Sequence, residues 1–190
     1  MSNDPPARMT GQDAARSARF EAQVLPHLDA AYNLARWLSH DAGDAQDVVQ
    51  EAMLRALRYF DSFHGSDARV WLLTIVRHTY YTMRSKNRQD DLHAELDDDL
   101  HPLADDGPSP ETLTLLAVDV GALRAALERM PPPLREVIVL RELEECSYKE
   151  IAAIIEQRIG TVMSRLARAR ERLRAELGHH PKEVRRHDVR

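Results

Sequence analysis

A single cysteine, Cys146, stands in a chain of 190 residues, which excludes an internal disulfide framework and any Cys-based metal cluster within one chain. Aromatic residues make up only 5%, as in small helical domains, while an apolar content of 43% is ordinary for a soluble globular protein. No apolar run reaches the length of a membrane span. The N-terminal stretch MSNDPPARMTGQDAAR lacks the apolar core of a secretory signal, so the expectation is a cytoplasmic protein without membrane insertion. Nine histidines raise the question of zinc, and Asp41, Asp44 and Asp47 that of carboxylate ligation, yet no HExxH or comparable paired spacing occurs. The sequence therefore predicts no metal, no cofactor and no catalytic residue, and His27, His40, His64 and His93 read as surface residues.

What is present is charge, unevenly spread. The formal net charge of -5 argues against a nucleic-acid partner until it is resolved by segment. Ala15 to Gln89 holds ten basic against eight acidic residues, and Gly121 to Leu177 eleven against nine. Between them, Asp90 to Val120 holds ten acidic residues and no Lys or Arg. With Pro102, Gly107, Pro108 and Pro110 in the same stretch, this middle cannot bury enough apolar surface to offset ordering. It reads either as a solvated spacer or as an acidic strand that imitates nucleic acid inside a basic channel of a partner. The expected architecture is all-α: a flexible N-terminus (1–17), a helical domain (18–89), a flexible acidic linker (90–118), a second helical domain (119–178) and a tail (179–190).

In the first domain, Asp44 to Phe60 has a helical period. Val49, Ala52, Met53, Ala56, Leu57 and Phe60 share one arc; Asp47, Gln50, Glu51, Leu54, Arg55 and Arg58 share the other. Leu54 on that outward arc is either an ordinary exposed apolar residue or the centre of a protein-binding patch. A short loop from Phe63 to Asp67 offers Ser66 or Asp67 as N-cap of a helix running from Ala68 to about Arg88. Its inward arc is Trp71, Leu72, Ile75, Val76, Thr79 and Met83; its outward arc carries Arg77, Tyr81, Arg84 and Arg88, bordered by Thr74 and His78. Cations with an interleaved aromatic suit a phosphate backbone and an unstacked base, or form a solvated cationic face.

The second domain opens with a helix through Leu123, Leu127 and Met130, ended by Pro131-Pro132-Pro133, and continues with a helix from Leu134 to about Glu144. The stretch Leu143 to Ala175, LEECSYKEIAAIIEQRIGTVMSRLARARERLRA, then reads as helix, tight turn and arginine-rich helix. Ser147-Tyr148-Lys149-Glu150 is a capping box. The last helix starts near Gly160-Thr161, with Ile159, Val162, Leu166, Ala169 and Leu173 as its buried stripe and Thr161, Ser164, Arg165, Arg168 and Arg172 exposed. That is a helix-turn-helix, in which Ser164 and Arg168 reach base edges and Thr161, Arg165 and Arg172 reach phosphates.

Taken together, HLDAAYNLARWL, DAQDVVQEAMLRALRYFDSF and ARVWLLTIVRHTYYT, followed by LREVIVLREL, SYKEIAAI and IGTVMSRLARARERL, resemble a bacterial RNA polymerase sigma factor of the extracytoplasmic-function group of the sigma-70 family. The resemblance runs from about Phe20 to Arg88 and from about Leu123 to Leu177. It implies a promoter-directing factor that catalyses no covalent step. Asp47, Gln50, Glu51, Leu54 and Arg55 match the segment that docks on the clamp helices of the largest polymerase subunit. Phe63, His64, Ser66 and Asp67, with Arg77, His78, Tyr81 and Arg84, match the part that opens the minus-10 element. Lys149, Thr161, Ser164, Arg165, Arg168 and Arg172 match the reader of the minus-35 element, in the domain that meets the flap of the second-largest subunit. The resemblance further implies promoter DNA and an anti-sigma factor as partners.

Two positions depart from the family pattern: His78, where asparagine is frequent, and Arg158, where proline usually stiffens the turn. A polymerase-independent repressor is the competing class; it predicts tight binding of the free protein to a palindromic site.

Overall fold

The computed structural model describes residues 11–65, 67–90 and 120–178. Ser66, the acidic stretch from 91 to 119 and the tail from 179 lie outside the described residues. All regular structure among the described residues is helical. No helix among them is long and apolar enough to cross a membrane. The chain divides into two compact units.

The first unit is built from α1 (Gly11–Val24), α2 (Leu28–Ser39), α3 (Ala42–Tyr59) and α4 (Ala68–Asp90). α2, α3 and α4 pack on one another. Leu34 and Leu38 of α2, Val48, Ala52 and Ala56 of α3, and Leu72, Leu73 and Val76 of α4 are buried. The α2–α3 corner is sharp because His40 adopts a left-handed conformation (φ 66°) and its N–H still donates to the Arg36 carbonyl at 3.2 Å. Asp41 then caps α3, its Oδ1 accepting from Gly43 N at 2.7 Å and Asp44 N at 3.1 Å.

Two helix faces lie differently from the sequence expectation. On α3 the buried arc is turned towards Ala45 and Val48, so Leu57 is 39% exposed and Met53 only half-buried. The cause is size: alanines at 45, 52 and 56 let neighbouring helices approach closely, which leaves no depth for the longer side chains at the edge of the arc. On α4, Leu73 and Tyr80 are buried, whereas Trp71, Ile75 and Met83 stay half-buried. Trp71 is held instead by an aromatic cluster at the α3–α4 connection. Its ring stacks on Phe63 (centroids 4.8 Å apart) and lies 6.4 Å from Phe60, which meets Phe20 edge-on at 5.2 Å.

The second unit holds α5 (Val120–Glu128), α6 (Pro132–Glu142), α7 (Tyr148–Ile154) and α8 (Ile159–Gly178), with α5 and α6 packed along α8. α6 begins two residues earlier than the sequence suggests. Proline at the first helical position has no N–H to leave unsatisfied, and the Pro131 carbonyl accepts from Leu134 N and Arg135 N at 3.0 Å. Residues Leu134 to Leu140 are buried throughout, Arg135 and Glu136 among them. The buried Arg135 guanidinium donates to the Glu128 carbonyl at 3.0 Å and so closes the C-terminal end of α5, where the helix dipole favours a cation.

Candidate nucleic-acid and polymerase interfaces

Three faces carry the residues singled out by the sequence. On α3, Leu54 is 60% exposed, and Asp47 and Gln50 flank it in solvent. Glu51 and Arg55 do not stand apart: the Arg55 Nε donates to Glu51 Oε1 at 2.8 Å, one helical turn away. The result is an apolar knob beside a neutralised ion pair and an uncompensated acid. Leu57 and Tyr59 extend the exposed apolar surface of the same helix, beyond what periodicity indicated.

On α4 the cationic face is organised around two tyrosines. The Arg77 guanidinium carbon lies 5.0 Å from the Tyr81 ring centroid, a cation–π contact. Tyr81 in turn meets buried Tyr80 edge-on at 5.1 Å, and Arg84 Nη1 donates to the Tyr80 hydroxyl at 3.1 Å. Arg77, His78 and Tyr81 line a shallow open concavity together with Thr82, Ser85 and Lys86. The last three were missed by the sequence reading; they follow one turn after Arg77 to Tyr81 on the same face, so extending the period would have reached them.

The connection before α4 behaves differently from a free DNA-contacting loop. Phe63 is half-buried in the stack on Trp71, and Asp67 caps α4, its Oδ1 accepting from Val70 N at 2.9 Å. A Cβ at Gly65 would lie 2.9 Å from Phe63 Cε2, so glycine there lets the loop fold over the ring. His64 remains exposed.

The helix-turn-helix of the second unit is closed at every joint by a hydrogen bond. The capping box is formed: Ser147 N donates to Glu150 Oε2 at 2.6 Å and Glu150 N to Ser147 Oγ at 3.2 Å. α7 ends with Glu156 left-handed (φ 54°) and Gln157 N donating to the Ala152 carbonyl at 3.0 Å, a Schellman turn. The Arg158 carbonyl accepts from Thr161 N and Val162 N and starts α8, so the turn holds without proline. Val162, Leu166 and Ala169 are buried as expected; Ile159, expected in the stripe, is 47% exposed. It is the first residue of α8, at the edge of the buried stripe.

Lys149, Ser164 and Arg172 are exposed, and Thr161, Arg165 and Arg168 half-exposed, along α7 and α8. Arg170 faces the other way, donating to Glu142 Oε1 at 2.9 Å. That carboxylate, helped by Tyr148 and opposed by partial burial, holds the Arg170 guanidinium above its ordinary pKa. Arg141 completes the brace: its Nη1 donates to the Cys146 carbonyl at 2.9 Å and its guanidinium lies over the Tyr148 ring at 5.2 Å. Charge counting alone cannot tell these bracing arginines from exposed ones, which is why the sequence reading passed over them.

Comparison with known proteins agrees with this geometry. The family model described as sigma-70 region 2 matches residues 24–89, and that of sigma-70 region 4 matches 121–173. The chain is 33% identical over 178 residues to the ECF RNA polymerase sigma factor SigE of Mycolicibacterium smegmatis, covering 92% of this chain and 67% of the relative. It is 39% identical over 138 residues to the ECF RNA polymerase sigma-E factor of Escherichia coli K12, covering 68% and 72%. Among solved structures, the sigma factor RpoE bound to the anti-sigma factor NepR from Bartonella quintana aligns with TM-score 0.65 at 31% identity, over 86% of this chain and 99% of that one. CnrH, solved with the cytosolic domain of CnrY, shares the fold at TM-score 0.60 and 23% identity, over 90% and 92%.

Proposed function

The chain belongs to the extracytoplasmic-function group of the sigma-70 family, and from that premise we propose that it binds core RNA polymerase, directs it to promoters through minus-35 and minus-10 elements, and helps melt the DNA. The observation that carries this is the pairing of two unlike cationic surfaces in one chain: a tyrosine-bearing concavity on α4 and an arginine-rich α8 in a fully capped helix-turn-helix. Arg77, His78, Tyr81 and Arg84 take the opened minus-10 strand, with Tyr81 as the stacking platform and His64 as a loop contact. Phe63 and Asp67 serve that site by shaping the loop and starting α4. Lys149, Thr161, Ser164, Arg165, Arg168 and Arg172 read the minus-35 duplex. Asp47, Gln50, Glu51, Leu54 and Arg55 dock on the clamp helices of the largest polymerase subunit, Leu54 filling a pocket and the acids meeting basic groups. The second unit meets the flap of the second-largest subunit.

Polymerase supplies the chemistry; this chain contributes binding free energy, which recovers the few kcal/mol, to order of magnitude, lost in unstacking a base. An anti-sigma protein that covers both units controls it, in line with RpoE having been solved with NepR. Transcription in vitro with core polymerase and fragmented genomic DNA tests the reading. Start sites should share a two-part asymmetric upstream sequence, and DNA binding should require core. Tight binding of the free chain to a palindromic site, unchanged by core, overturns it.

A further inference from the structure

On α8 the buried stripe of Val162, Leu166 and Ala169 leaves an arc facing away from the unit's core that includes Gly160, Met163, Ser164, Ala167, Arg168 and Glu171. Met163, 53% exposed, is the long apolar side chain at the edge of that arc, one turn after Ile159, which is 47% exposed. An isolated exposed apolar residue needs no explanation by itself. This one stands beside small neighbours on a helix that packing against α5 and α6 and the Arg170–Glu142 pair hold in a fixed orientation.

Gly160 sharpens the point. A Cβ there would meet nothing within 4 Å, and its φ is not positive, so neither the unit's packing nor its backbone requires glycine at this position. Exposed Ala167 continues the same low strip. Beside Met163 the surface is thus low, at Ala167 and Gly160, with hydrogen-bonding Ser164 and Arg168 beyond them on the same side. A duplex edge can come close to this helix, and the thioether is the apolar group it would meet there.

We infer that Met163 is a specificity-determining residue that packs against the C5-methyl group of a thymine in the minus-35 element. The major groove presents one apolar feature, the thymine methyl, and a flexible, polarisable thioether adapts to its position. Arg168 and Ser164 read polar edges beside it. The inference rests on the reading that α8 enters the major groove, and the test separates the two.

The full chain is assembled with core polymerase on duplexes randomised across the promoter span, and the sequences that yield transcripts are recovered. The selected promoter is then remade with deoxyuridine in place of thymidine, one position at a time, across the minus-35 element. Removing the methyl should weaken wild-type initiation about fourfold at one position, the effect of one buried methyl-sized group. Met163→Ala should be indifferent to uracil at that position, and Arg168→Ala should keep the sensitivity. An unchanged melting temperature for Met163→Ala confirms that the helix is intact.

Wild-type indifference to uracil everywhere, or an equal loss in Met163→Ala, overturns the inference while an enriched minus-35 sequence leaves promoter reading standing. A loss in Met163→Ala that is the same on every promoter assigns the side chain to a protein contact and also overturns it. Absence of any minus-35 enrichment removes both.

Discussion

The cationic faces of α4 and α8 have similar charge and opposite construction. On α4 the guanidiniums are tied to aromatic rings, Arg77 over Tyr81 and Arg84 to the Tyr80 hydroxyl, so a flat apolar surface lies framed by charge. On α8 the outward arc carries no aromatic; Tyr148 is spent in the brace with Arg141. A face with rings can hold an unstacked base, whereas a face of arginine, serine and methionine can only read edges and phosphates of an intact duplex. In the proposed reading, charge decides that DNA is bound, and the groups between the charges decide in which form.

The largest effects should come from exchanging those roles. Tyr81→Ala should weaken capture of a single-stranded minus-10 segment by about 1–3 kcal/mol, the usual worth of a stacked base, and leave minus-35 duplex binding unchanged. Arg168→Ala should do the reverse, lowering discrimination at one minus-35 base pair by about 1–3 kcal/mol. Both are measured in holoenzyme on forked and duplex DNA. If either variant loses equally on both templates, the division of labour between the faces is wrong.

The bracing arginines offer a second break. Arg141→Met removes a hydrogen bond to the Cys146 carbonyl and a cation–π contact, and should destabilise the second unit by about 1–2 kcal/mol while minus-10 strand capture is unaffected. Glu156→Gly should act in the opposite direction, because glycine occupies the left-handed position of the Schellman turn without a Cβ penalty; the gain is about 1 kcal/mol, read as a rise in melting temperature.

These bracing contacts mark the limit of what the sequence shows. The capping box, the stripe of Val162, Leu166 and Ala169, and the grouping of Arg77, Tyr81 and Arg84 follow from spacing of about 3.6 residues per turn, which is local information. Leu57 and Ile159 defeated the same rule, since exposure at the edge or end of a stripe depends on where the neighbouring helices lie, which is not local information. Arg170 and Arg168 lie two positions apart on one helix, and that Arg170 reaches Glu142 follows only from the placement of α6. Phe63 looked like a loop aromatic and proved to be part of a stack with Trp71, a contact between residues whose sequence neighbours give no hint of it.

The smallest effect separates the two units by acid. α3 starts on the Asp41 carboxylate, which accepts from Asp44 N and Gly43 N; these backbone donors, aided by Arg36, hold its pKa below the usual carboxylate range. A folded-state pKa below the unfolded one means that the group contributes stability above the unfolded value and loses it as pH falls through the folded value. The contribution is therefore complete at neutral pH and fades below about pH 4. On α7 the Ser147 hydroxyl caps without titrating, so that arm of its capping box has no acid limb. In the full chain, amide protection at Gly43 and Asp44 should fall in acid more steeply than at Glu150. Asp41→Asn, which keeps an acceptor oxygen at the cap, should flatten the fall at Gly43 and Asp44. An unaltered acid profile in that variant would mean that the α3 cap fails with the unit as a whole, and that its carboxylate does not set the first unit's acid response.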